Sequence, residues 1–178
     1  MTAGSGSDPQ GLPGRHLVVM GVSSVGKSTV ARALAERLGH ELAEGDDFHP
    51  PANVAKMSAG VPLGDDDRLP WLHALARWAG EHDAAGRSTV MACSALKRSY
   101  RDVLRHGVPA TCFVCLVGGH QLLLERMSAR EHFMPPDLLD SQLADLEPLA
   151  YDESGIVVDV TDSPEQVVAS VLAQLSSR

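Results

Sequence analysis

Short apolar runs alternate with stretches of helical spacing along most of the chain. Leu17 to Met20, Val90 to Cys93, Cys112 to Val117 and Ile156 to Val158 carry no charged residue, as strands buried on both faces require. The pattern predicts strands over 15–20, 40–44, 88–93, 111–117 and 155–160. Between them apolar residues recur every three or four positions, as Val30, Leu34 and Leu38 do, which is the helical period. Helices are expected over 27–38, 68–82, 97–106, 119–130, 137–146 and 163–176. Strand and helix in alternation imply parallel βαβ units with right-handed crossovers. The expected fold is α/β: a three-layer sandwich around a five-stranded parallel sheet. Two stretches break the alternation. Gly45 to Pro70 is rich in Pro, Gly and Asp and has room for a short helix near Ala52–Met57, and Glu131 to Asp137 is a short Pro-containing loop between helices. With 178 residues in all, 15–178 is read as one domain.

The first strand runs directly into Gly21-Val22-Ser23-Ser24-Val25-Gly26-Lys27-Ser28, with Thr29 next. This is G-x-x-x-x-G-K-[ST], the phosphate-binding loop, in its required strand–turn–helix context. Backbone N–H groups of such a loop converge on an anion, and the helix N-terminus adds positive potential. Residues 21–29 are therefore read as the ATP site, with Lys27 reaching the β- and γ-phosphates and Ser28 ligating Mg²⁺. The fourth position of the loop, often Gly in kinases, is Ser24. A positive φ there costs a non-Gly residue on the order of 1–2 kcal/mol.

Lys plus Arg is 15 against 23 Asp plus Glu, a net charge of −8. That disfavours a nucleic-acid partner. No apolar run approaches the roughly 20 residues of a membrane helix. Met1 to Gly14 is Gly-, Ser- and Pro-rich without an apolar core, so it reads as a disordered tail rather than a signal peptide, and the chain as cytoplasmic. Cys112 and Cys115 have C-x-x-C spacing inside a strand. Residues three apart on a strand face opposite sides, so the pair reads as core rather than as a redox or metal site.

Acidic and basic clusters sit after the strand ends, where ligands of parallel sheets bind. Glu44 and Asp46 share one face of extended chain beyond the second strand. A carboxylate there suits a water-held Mg²⁺ or a proton acceptor. Asp46 is favoured for the latter, and Glu44 and Asp47 remain alternatives, Asp47 also as a helix cap. Asp65, Asp66 and Asp67 suit a helix start, and Arg68 beside them is a possible clamp for an anionic substrate. Lys97, Arg98 and Arg101 stand at a helix start, where cations oppose the dipole; that local cost hints at anion binding, against the alternative of an Arg98–Asp102 surface pair. Arg126 and Arg130 are four apart and lead into a loop. They are placed to close over a transferring phosphoryl group.

Several of these segments resemble the gluconokinase family. They are Glu44-Gly45-Asp46-Asp47-Phe48-His49-Pro50, Asn53 to Leu63, Asp65 to Leu72, Cys93 to Asp102, His132-Phe133-Met134-Pro135 and Leu138 to Leu143. The resemblance runs from about residue 15 to 160. It implies a shikimate-kinase-like P-loop fold and ATP-dependent phosphorylation of D-gluconate on its 6-hydroxyl, with Mg²⁺. It also implies a homodimer. By the same resemblance Lys27, Asp46, Arg126 and Arg130 are the catalytic candidates, and Asp46, His49, Lys56, Arg68, Lys97, Arg98, Arg101 and His132 the acceptor-binding ones. Ser28 would hold the metal, with Glu44 acting through water. Residues 45–70 would form the acceptor insertion and 126–137 the lid. Two positions depart from the family: Ser24 and Glu131 stand where Gly is usual.

Two alternatives stay open. The basic clusters fit any anionic acceptor, including shikimate or a nucleoside monophosphate. A nucleotide-dependent switch without an acceptor is the other, although the chain has no N-K-x-D base-recognition motif.

Overall fold

The computed structural model describes residues 16–129 and 136–178. Its strands are β1 (His16–Met20), β2 (Glu41–Glu44), β3 (Thr89–Ala92), β4 (Thr111–Val117) and β5 (Gly155–Asp159). The helices are α1 (Lys27–Leu38), α2 (Pro51–Ser58), α3 (Asp65–Ala84), α4 (Arg98–Gly107), α5 (His120–Ser128), α6 (Pro136–Asp145) and α7 (Pro164–Ser176). The strands form one sheet in the order β2-β3-β1-β4-β5. Every pairing is parallel, with Leu17 of β1 opposite both Val90 and Cys112. This is the fold class that the alternation predicts.

Strand alternation builds two cores. Leu17 and Val19 face one layer with Val30, Leu34, Leu123 and Val171, from α1, α5 and α7. Val18 and Met20 face the other with Trp71, Leu72, Leu75 and Leu104, from α3 and α4. Cys112 falls in the first core and Cys115 in the second, as strand parity requires. Both thiols are buried and unpaired. Among the described residues no helix is long and apolar enough to cross a membrane.

Local chemistry sets the helix ends. Gly39 closes α1 in the left-handed region at φ 67°, its N–H reaching Ala35. Ser163 and Gln166 exchange capping bonds at the start of α7, and Pro164 takes the first turn. The expected helix over 68–82 instead begins at Asp65. The three aspartates satisfy the helix start, Asp67 accepting from Gly64 N–H at 3.0 Å, and Pro70 is carried within the helix. The 45–70 stretch also holds more structure than its composition suggests. A 3₁₀ turn spans Gly45–Phe48 before α2. Gly45 is required there because a Cβ would stand 2.5 Å from the Ala92 carbonyl.

Candidate active site

The phosphate-binding loop leaves the carboxyl end of β1, the central strand. Gly21 has φ 140°, and a Cβ on it would meet the Leu116 carbonyl at 2.6 Å. Gly26 has φ 100°, and Ser24 takes the left-handed conformation at φ 63°. The Ser24 hydroxyl is buried without a hydrogen-bond partner. The strain expected at this position is therefore present. Lys27 Nζ donates to the Val22 carbonyl at 2.9 Å, so its ammonium lies over the loop.

A cleft of about 480 Å³ opens beside the loop. Ser24, Gly26 and Thr29 form one wall, and Arg126, Val160, Asp162 and Pro164 the other. Arg126 Nη2 donates to the Val160 carbonyl at 2.7 Å. The segment after β5 is a wall that the sequence reading missed. Its signal was available, because it follows a strand's carboxyl end. Arg130 and His132, together with Glu131, lie outside the described residues.

β2 ends beside the loop. Ser28 Oγ donates to Glu44 Oε2 at 2.9 Å. The second oxygen, Glu44 Oε1, is buried without a hydrogen-bond partner, with Arg32 Nη2 3.9 Å away. The next residues turn through the 3₁₀ segment, whose Gly45 carbonyl accepts from Trp71 Nε1 at 2.6 Å. That bond fixes the acidic turn to α3. Asp46 and Asp47 are both exposed on the turn. His49 stacks on Trp71, with ring centroids 4.3 Å apart. Burial lowers the His49 pKa, opposed by Asp46 and aided by Arg68. Below them lies Cys93, whose thiol burial pushes up to about 12 while Lys27 and Arg68 pull it down and Asp46 pushes it up. Lys27, Asp46 and Arg68 are thus all near enough to the β3 end for their charges to act on Cys93.

The other basic candidates separate into two groups. Arg68 and Lys97 both lie over the Tyr100 ring, 5.7 and 5.6 Å from its centroid. Lys97 Nζ donates to Asp65 at 3.1 Å, and the Tyr100 hydroxyl donates to the same carboxylate. Tyr100 and Asp65 were not legible as site residues, since a capping role accounted for Asp65. Lys56 donates to Asp67 at 2.6 Å, and Asn53 links Asp67 to His49. Arg98 and Arg101 stand apart from this cluster, and Arg98 makes the i,i+4 pair with Asp102 that was the alternative to an anion-binding role. Arg98 holds Asp102 at 2.8 Å and both oxygens of Asp152 at 2.9 and 2.8 Å. Its hydrogen bonds keep the Asp152 carboxyl at about 2. Arg101 is fully buried and holds both oxygens of Glu153, at 2.6 and 2.9 Å. These two arginines fasten α4 to the segment before β5. The missing α4 cap comes from the same segment, through Glu147 on the Arg98 N–H.

A parallel sheet with this loop on its central strand, a cleft beside the loop and a cluster of charged side chains at the starts of α3 and α4 defines a P-loop kinase of small molecules. No family model matches the chain. Curated relatives do. A gluconokinase of Gluconobacter oxydans is 50% identical over 91% of this chain and 92% of its own length. The thermosensitive gluconokinase of Escherichia coli is 39% identical over 94% and 92%. Among solved structures, a sugar kinase from Janibacter sp. HTCC2649 superposes with TM-score 0.85 at 54% identity, over 92% of this chain and 95% of that one. A gluconokinase from Sinorhizobium meliloti gives 0.84 at 47%, over 94% of each. Shikimate kinase of Aquifex aeolicus, 15% identical with TM-score 0.57, shares the fold. The chain belongs to the gluconokinase family.

Proposed function

We propose that this protein transfers the γ-phosphoryl group of ATP to the 6-hydroxyl of D-gluconate. The observation that carries the reading is the pairing of Arg68 and Lys97 over the Tyr100 ring, at the starts of α3 and α4, in a chain whose phosphate loop leaves the central strand. Gluconate is an anion with a hydroxylated chain. Arg68 and Lys97 suit its carboxylate, while Asp46, His49 and Asn53 suit its hydroxyls. Residues 45–70 then act as the acceptor insertion.

The nucleotide phosphates lie on the N–H groups of the loop and the start of α1, with the base end in the cleft between Thr29 and Pro164. Lys27 offsets charge on the transferring group and Arg126 borders it from the lid side. Asp46 takes the proton of the attacking hydroxyl. Ser28 and Glu44 offer hard oxygen donors side by side, one of them an unsatisfied buried carboxylate oxygen, and so fit Mg²⁺. When bound, the ion would neutralise phosphate charge and orient the γ-phosphoryl group. Arg130 and His132 keep their proposed roles in the lid over 126–137. The family resemblance also leads us to read the enzyme as a cytoplasmic homodimer.

Replacing the proposed base tests this assignment. Asp46→Asn should bind MgATP as the parent does and lower kcat by roughly 10²–10⁴. Normal turnover by Asp46→Asn, with Asp47→Asn or Glu44→Gln inactive, would move the base to another residue of the acidic turn.

A further inference from the structure

One peptide group of the phosphate loop is held from both sides. The group joining Val22 to Ser23 presents its carbonyl to Lys27 Nζ, at 2.9 Å. Its N–H donates to Oε1 of Gln142 at 2.6 Å, across 119 positions of sequence. An N–H can only donate, so the amide oxygen of Gln142 must face it. Gln142 comes from α6, and α6 is a firm support. Leu139 is fully buried in the first core, Leu143 packs against it, and Asp140 lies 2.7 Å from His120 on α5.

A peptide group is planar, so its carbonyl and N–H turn together. Fixing the N–H therefore fixes the direction of the Val22 carbonyl, which is one of the groups that hold the Lys27 ammonium. The next residue, Ser24, is already strained at φ 63°. A loop with a strained neighbour has a ready route to relax by rotating this plane, and the Gln142 bond opposes it.

We propose that Gln142 is a positioning residue for Lys27: through the shared Val22–Ser23 peptide it holds the lysine in register with the transferring phosphoryl group. The proposal rests on the kinase reading above. It makes the geometry of the phosphate loop depend on α6, an element remote in sequence. A rotated plane would still bind nucleotide through the remaining N–H groups, but would misplace the ammonium where small displacements are costly in rate.

The test is a double-mutant cycle. Gln142→Met keeps length and packing but offers only a weak thioether acceptor in place of the amide oxygen. It should lower kcat about tenfold, from the loss of one well-placed bond, with the gluconate KM and Tm essentially unchanged. Gln142→Glu keeps an accepting oxygen and should recover most of kcat, while its charge raises the MgATP KM in a salt-dependent way. In a Lys27→Met background, Gln142→Met should cost nothing further. Full kcat in Gln142→Met, or an equal loss with and without Lys27, would overturn the proposal. Gln142→Leu carries the same test if the Met variant misfolds. The cycle is also run on affinity for a fluorescent ATP analogue without acceptor. Gln142→Met should bind the analogue about as the parent does, and a loss of binding as large as the loss of kcat would overturn the proposal. A parent that binds nucleotide but ignores gluconate would instead overturn the acceptor assignment.

Discussion

Arg101→Met should unfold the protein at markedly lower temperature while leaving acceptor recognition intact. Arg101 has no solvent exposure. Beyond the two bonds to Glu153, it donates to the carbonyls of Leu96 and Glu147 at 3.1 Å, Pro148 at 3.2 Å and Ala95 at 3.3 Å. Removing the guanidinium takes a donor from each of these carbonyls, of which Leu96 keeps the Glu147 N–H at 2.9 Å, and leaves the Glu153 carboxylate with the Ala150 N–H at 2.8 Å and Arg98 at 3.7 Å. Breaking a buried ion pair from one side costs about 3–5 kcal/mol. Arg98 remains as a partial partner, so the lower end applies, about 3 kcal/mol. For a chain of this size each kcal/mol moves Tm by roughly 2–4 °C, which gives a fall of about 10 °C. Burial pushes the Glu153 carboxyl up, but bonding to Arg101 holds it below its ordinary value. Without Arg101 it can take a proton, so the deficit should shrink as pH falls toward 5. Adding Glu153→Gln should recover part of the loss, because no buried charge is then left unpaired. Calorimetry and urea unfolding read the stability, and initial rates well below Tm read the gluconate KM. A Tm within 2 °C of the parent, with a tenfold rise in gluconate KM, would refute the reasoning and return Arg101 to the acceptor site.

Ser24→Gly should keep or raise kcat and should not lower Tm, since it removes both the left-handed strain and an unpaired buried hydroxyl; a tenfold activity loss in a steady-state assay would show that the hydroxyl contributes to binding. Stability should fall between pH 7.5 and 5.5, because burial lowers the folded pKa of His40 and His49. Their contribution is complete above the unfolded value of about 6.5 and is lost as pH drops through the lowered folded values. The His40→Gln/His49→Gln double variant should flatten the urea midpoint over that range, and an unchanged slope would contradict the assignment.

The alternation of buried strands and amphipathic helices made the sheet legible, because a parallel sheet covered on both faces leaves no other pattern. The phosphate loop was legible because its spacing is fixed by backbone geometry. The roles of Arg98 and Arg101 were not. The i,i+4 rule offered the Arg98–Asp102 pair, but Asp152 and Glu153 lie about fifty positions away, and no local rule brings them in. Asp65 was hidden for the opposite reason, since a local rule explained it fully. Its link to Tyr100 and Lys97 arises only when α3 and α4 pack together. Gln142 likewise meets the phosphate loop only through the tertiary fold.

The most direct test of the account is ADP release from MgATP by the purified protein with single acceptors supplied in turn. D-gluconate should give by far the highest kcat/KM, with glucose, shikimate and nucleoside monophosphates well behind, and NMR of the product should place the phosphate on C6. A higher kcat/KM for shikimate or a nucleoside monophosphate, or slow ATP turnover indifferent to every sugar acid, would contradict it.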